Sequence, residues 1–296
     1  MKLMRFLQDS KESYAAQITK DQILELPALS KNLKQPIPSN ISELILCGNE
    51  GTMALKCLIQ NSTENQRKRA TVKLDNVKML APVASPPKTI CLGVNYRDHA
   101  AELNSPLPDE PVIFLKPHTT IIGPDEPIIK PAFVKELDYE AELAVIIGKK
   151  GKDIAAEDAK NHIFGYTCFN DVSARDIQFK DKQWTRGKSL DTFAPIGPCI
   201  TTTDQIGDPT NLRVQTRVNE EIRQNSSTRN MVFNVFQIVH QLSRIMTLEP
   251  CDIIATGTPA GVAFAMKPKP KFLSLGDIVE IEIENIGTLR NKVASS

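Results

Sequence analysis

The sequence predicts an α+β protein built on a folded or rolled sheet. Strand-like segments dominate, helical segments are few and short, and no regular strand–helix–strand repeat runs through the chain. A Pro86-Pro87 pair ends a run that differs in pattern from the rest, which predicts a small N-terminal α+β domain over 1–84 and a main domain over 85–296.

In chain order, MKLMRFL reads as a short strand. Segments 41–48 and 51–61 read as short helices, with a strand as the alternative for LILCG, and TVKLDNVKMLAPV reads as a strand. KTICLGVNY is a buried strand, RDHAAEL opens a short helix, and PVIFLKP is a further strand. KELDYEAELAVIIG has period-2 character. AAEDAKNHIFG predicts a helix stopped at Gly165, and YTCFNDVSARD a strand that ends near Asp171. Residues 231–245 have apolar spacing for a helix. CDIIATGTPAGV is a strand leading into a glycine-rich turn, and the C-terminus is a hairpin around Glu284–Gly287.

With 296 residues and 41% hydrophobic content, the chain can bury a sizeable core. Its formal charge of +1 gives no global field for nucleic acid or an anionic membrane. No apolar run approaches the ~18 residues that suggest a membrane span, and the start has no signal-peptide core. The six cysteines form no C-x-x-C pair and read as buried, reduced thiols. Lys267-Pro-Lys-Pro-Lys271 reads as an extended loop.

The stretch DYEAELAV raises a chemical question. Residues i and i+2 of a strand share a face, so Glu140 and Glu142 project together, with Glu136 and Asp138 upstream on the same side. Adjacent carboxylates repel unless something positive sits between them. A hard divalent cation suits carboxylate oxygens, and a solvated strand face is the alternative. Asp171 at a strand end is a third candidate carboxylate or, equally, a helix N-cap. Arg175 and Lys188 are candidate cations to balance such a cluster. His99 and Glu102 sit at i, i+3, where a carboxylate can orient an imidazole for proton transfer or form a surface pair. His118, His162 and His240 read as structural or solvated. ATGTPAGV offers a turn with backbone N–H groups and the Thr258 hydroxyl, and it lacks a nucleotide-loop pattern.

The run GVNYRDHAAE, FLKP, DYEAELAVIIGKKGKDI, FNDVSARDIQ, GKSLDTFAPIGP and ATGTPAGV resembles the fumarylacetoacetate hydrolase family in content and order, over about residues 80–296. The resemblance implies a mixed β-sandwich roll, a homodimer, and a divalent metal on Glu140, Glu142 and Asp171, with Mg²⁺ first and Ca²⁺ or Mn²⁺ as alternatives. It implies a catalytic role for His99, Glu102 and Lys188, and substrate contacts from Arg175, Gln178 and Thr258. The family's name-giving enzyme has a further metal-binding aspartate before its histidine. Here the region reads NYRDH, so that ligand is not transferred. The implied chemistry acts on small 2-keto acids through an enolate. Oxaloacetate enol–keto tautomerisation comes first, with acylpyruvate C–C hydrolysis or oxaloacetate decarboxylation as alternatives. A non-catalytic, metal-stabilised binding protein is the reading of another class. Neither nucleic acid nor membrane is an expected partner, and the expected compartment is mitochondrial or cytoplasmic.

Overall fold

Two sheets carry the architecture of the chain, a computed structural model that describes residues 1–180 and 183–295. The long sheet runs, in spatial order, Thr71–Lys73, Gln22–Glu25, Lys11–Gln17, Lys2–Gln8, Ala194–Thr202, Ile163–Asn170, Ala141–Ile147, Ile253–Ala255, Thr89–Gly93 and Val112–Lys116. A five-stranded sheet is ordered Glu221–Ser227, Arg213–Val218, Ile278–Ile283, Gly287–Ser295 and Ile128–Lys130. Pairing is mostly antiparallel, with a parallel contact between Ile253–Ala255 and Thr89–Gly93. This is a mixed α+β fold of the rolled-sheet kind.

Side-chain alternation explains how the sheets meet. Along Ile278–Ile283, Val279, Ile281 and Ile283 are buried, while Glu280 and Glu282 face outward to Arg217. Those three apolar residues share a core with Leu143, Val145 and Ile147 of the central strand. On the other face of that strand, Ala144 and Ile146 join Leu44, Leu55 and Leu58 from the helices Ile41–Leu46 and Gly48–Asn61. Ala141–Ile147 is therefore buried on both faces, which accounts for its nearly continuous apolar run.

The N-terminal strands extend the long sheet. Lys2 and Leu3 pair with Thr201 and Ile200, so the segment before Pro86 shares a sheet and a core with the remainder of the chain. Three local expectations are corrected. Residues 155–165 form only a 3₁₀ turn at Ala159–His162, and Gly165 lies inside the strand Ile163–Asn170. A Cβ there would sit 2.5 Å from the Thr201 carbonyl oxygen, so this glycine serves strand packing and does not stop a helix. The run 71–83 is two three-residue strands separated by a 3₁₀ turn at Leu74–Asn76. The helix expected from 231 begins at Val235, because the Asn234 side chain caps it, with Gln237 completing a capping box. Of the cysteines, Cys47 and Cys57 are exposed and the other four buried; all are free.

Candidate active site

The DYEAELAV stretch is not one strand. Leu137 and Asp138 pair with Ala174 and Ser173, while Ala141 begins a separate ladder opposite Asn170. Between them the chain steps aside. The Asp171 N–H donates to the Glu140 carbonyl at 3.0 Å, and the Glu140 N–H donates to Asn170 Oδ1 at 3.0 Å. Simple alternation puts four acids together; the break separates their tasks. Asp138 accepts from Arg175 Nε at 2.9 Å and from the Ala263 N–H at 2.8 Å. Glu136 contributes its backbone carbonyl to the Arg175 N–H.

Glu140, Glu142 and Asp171 do converge. One carboxylate oxygen of each lies within 4.8 Å of the others, and all three residues are buried. Lys188 Nζ donates to Glu140 Oε2 at 2.8 Å and to Asp171 Oδ2 at 2.7 Å. Lys116 Nζ donates to the other Asp171 oxygen, and Arg175 pairs with Glu140 Oε1 at 2.7 Å. Four buried carboxylates, counting Asp138, thus face three buried cations. The uncompensated one is Glu142, which is 0% exposed. Its Oε2 takes the Gly257 N–H at 2.8 Å, and its Oε1 has no partner among the described residues. Gly257 has φ +90°, a conformation glycine adopts freely, and this directs its N–H at the carboxylate.

The charges set how these groups titrate. Burial, then the negative charges of Asp171 and Glu140, raise the Glu142 carboxyl well above its ordinary value. Burial opposes the charge on Glu140, but Lys188 and Arg175 outweigh it and hold that carboxyl at about 2. Lys188 is raised despite burial, because Asp171 and Glu140 favour its ammonium form. A buried carboxylate oxygen with no donor is costly. Three hard oxygen donors converging beside it fit a divalent cation.

A cavity of about 90 Å³ adjoins the triad. His99, Glu140, Arg175, Gln178, Lys188 and Thr258 all line it, with Trp184, Phe179 and Phe264 among its walls. His99 lies on the short helix Arg97–Glu102; its Nδ1 meets Glu102 Oε2 at 3.0 Å, which leaves Nε2 for the cavity side. Glu102 Oε1 is fixed by the Gly261 N–H at 2.9 Å. Arg175 Nη1 donates to Gln178 Oε1 at 2.9 Å, and its guanidinium carbon sits 4.5 Å from the Phe264 ring centre. Asp98 turns away from the triad, to Ser226 and Asn230. His162 and His240 bond backbone carbonyls elsewhere. Sequence reasoning does not single out Lys116 or a structural role for Asp138. A lysine closing the apolar run VIFLK is the available signal, since a buried lysine needs an acidic partner.

The family model for the fumarylacetoacetate (FAA) hydrolase C-terminal region matches residues 88–294. The chain belongs to the fumarylacetoacetate hydrolase family. Among its family relatives is oxaloacetate tautomerase fahd2, mitochondrial, of Xenopus laevis, 44% identical over 273 residues, covering 92% of this chain and 82% of the relative. The fumarylacetoacetate hydrolase of Exiguobacterium antarcticum superimposes with a TM-score of 0.84 at 40% identity, over 100% of both chains. A maleylpyruvate hydrolase of Sphingobium sp. SYK-6, solved with manganese(II) and pyruvate, gives a TM-score of 0.80 at 32% identity, again over 100% of both. Members of the family are enzymes, and this chain is one of them. The bound manganese of that relative and the carboxylate triad here suggest a divalent metal.

Proposed function

We propose that the protein interconverts the enol and keto forms of oxaloacetate, with a divalent cation, Mg²⁺ first, held by Glu140, Glu142 and Asp171. The observation that carries this reading is the convergence of three buried carboxylates, one with an unpartnered oxygen, beside a cavity lined by His99, Lys188 and Arg175. The tautomerase name of the 44% identical relative supports the choice of reaction. When bound, the cation supplies Lewis-acid polarisation of a 2-keto acid's oxygens.

The chain's own groups do the rest. Arg175 is held from three sides, by Asp138, Glu140 and Gln178, so its charge is preorganised toward a substrate carboxylate. Lys188 is an ammonium by virtue of its two carboxylates, and it stabilises negative charge that develops on the keto oxygen as an enolate forms. At Nε2, His99 takes the proton from the substrate carbon as the enolate forms and returns it on ketonisation, while the proton of the enol oxygen exchanges with water. Glu102 orients the ring. Phe114 lies 5.0 Å from Lys188 Nζ, and Trp184 packs against Phe114, so apolar rings limit water around the charge.

A second reading is hydrolytic C–C cleavage of an acylpyruvate. The hydrogen-bonded His99–Glu102 pair favours it, because the same Nε2 can deprotonate a water. The maleylpyruvate hydrolase neighbour is consistent with it. A proton NMR time course with oxaloacetate, acetylpyruvate and fumarylpyruvate, with and without Mg²⁺, separates the two. Faster enol–keto exchange of oxaloacetate with Mg²⁺, and no cleavage of the others, is expected. Uncatalysed rates for all three would sink both readings and favour a binding protein. We also place the protein in the mitochondrion, on the names of its relatives, and as a homodimer, on family likeness.

A further inference from the structure

Gln224 is a buried amide, 1% exposed, that does not line the cavity but bonds to a residue that does. Its Oε1 accepts from the Ala141 N–H at 3.0 Å and from the Thr216 hydroxyl at 2.7 Å. Its Nε2 donates to the Pro259 carbonyl at 2.8 Å and to Thr258 Oγ1 at 2.8 Å. Two of these partners are backbone groups of fixed polarity. A backbone N–H can only meet the amide oxygen, and a backbone carbonyl can only meet the amide nitrogen. The orientation of the Gln224 side chain is therefore determined without reference to Thr258.

That orientation has a consequence for the cavity. Both Nε2 hydrogens are committed, one to Pro259 and one to Thr258. An amide nitrogen cannot accept, so the Thr258 hydroxyl is the acceptor in that contact and its own hydrogen points elsewhere. Thr258 Oγ1 donates to no acceptor among the described residues, and Thr258 lines the cavity beside Arg175 and Lys188.

We propose that Gln224 is a positioning residue that fixes Thr258 as a hydrogen-bond donor to the substrate. The proposal rests on the 2-keto acid reading and deepens it. The free Thr258 hydrogen favours an acceptor oxygen on the ligand, as a carboxylate or keto oxygen is. The same amide ties this donor to the metal-side strand, because Ala141 lies between Glu140 and Glu142. One side chain thereby links the backbone between Glu140 and Glu142 to the Thr258 hydroxyl.

The test is equilibrium binding of pyruvate, in the presence of Mg²⁺, to wild type, Gln224→Glu, Thr258→Val, Thr258→Ser and the Gln224→Glu/Thr258→Val double variant. A glutamate at 224 accepts only, so it turns the Thr258 hydrogen inward. Gln224→Glu and Thr258→Val are each expected to weaken pyruvate about tenfold. Thr258→Ser is expected to stay close to wild type, and the double variant to be no weaker than Thr258→Val alone. Thermal melts and Mg²⁺ titrations of the same variants separate a folding defect from a lost donor, and Gln224→Met, which cannot turn the hydroxyl, should lose less than Gln224→Glu. Unchanged binding in Gln224→Glu, or losses that multiply in the double variant, would overturn the proposal alone. Failure of the wild type to bind pyruvate would overturn the 2-keto acid reading and this inference with it.

Discussion

At the scale of single residues, the site is a problem in buried charge. Asp171 is fully buried and its two oxygens are shared between Lys116 and Lys188. Lys116→Met leaves part of that charge uncompensated, and such losses cost about 3–5 kcal/mol in a protein interior. A large fall in melting temperature is expected in metal-free buffer, partly restored by Mg²⁺. In the Lys116→Met/Asp171→Asn pair the two changes should add to less than their sum, because they share one contact. Full additivity in thermal melts would show that Lys116 acts elsewhere. The residue types for this cluster were legible in the sequence, since Glu140, Glu142 and Asp171 stand out as acids at strand positions. Their selection came through the family resemblance, not through the local pattern. Periodicity treats Asp138 as the equal of Glu140. A break in the ladder at Tyr139–Glu140 makes one the anchor of Arg175 and leaves the other in the triad. Which acid takes which task depends on contacts with residues over thirty positions away, and no local pattern carries that.

Among elements, the loop after the Thr89–Gly93 strand and the segment carrying Trp184 form one wall of the cavity. Gly93 is the point of contact. A Cβ at Gly93 would lie 2.0 Å from the Trp184 ring, so Gly93→Ala must displace the indole or the strand end. Overpacking of this kind costs about 1–3 kcal/mol. A loss in kcat/KM is expected to accompany the drop in melting temperature, and Gly93→Ala with Trp184→Phe should recover part of both. A variant with wild-type kinetics would mean that the indole does not shape the cavity. Strands and hairpins were legible because alternation and turn residues are local. The helix expected over 155–165 fails for a clear reason: its apolar residues pack into a strand whose glycine lies against a neighbouring backbone, and propensity yields to that packing.

For the whole molecule, the question is how independent residues 1–84 are. We propose that this segment is a wing of the main sheet. Its helices bury Leu44, Leu55 and Leu58 against Ile146, Phe169, Ile196 and Ile200 of the remainder. An 85–296 fragment exposes that apolar face and the pairing edge of Ala194–Thr202, so aggregation on size-exclusion chromatography is expected. A monodisperse, cooperatively melting fragment would establish an autonomous domain. At this scale, the proposed divalent cation would complete the buried triad and compensate Glu142. Calorimetric titration of Mg²⁺ into wild type and Glu142→Gln tests it most directly. One site per chain is expected in the wild type and no measurable site in the variant; equal stoichiometry and affinity in both would contradict a cation on Glu142.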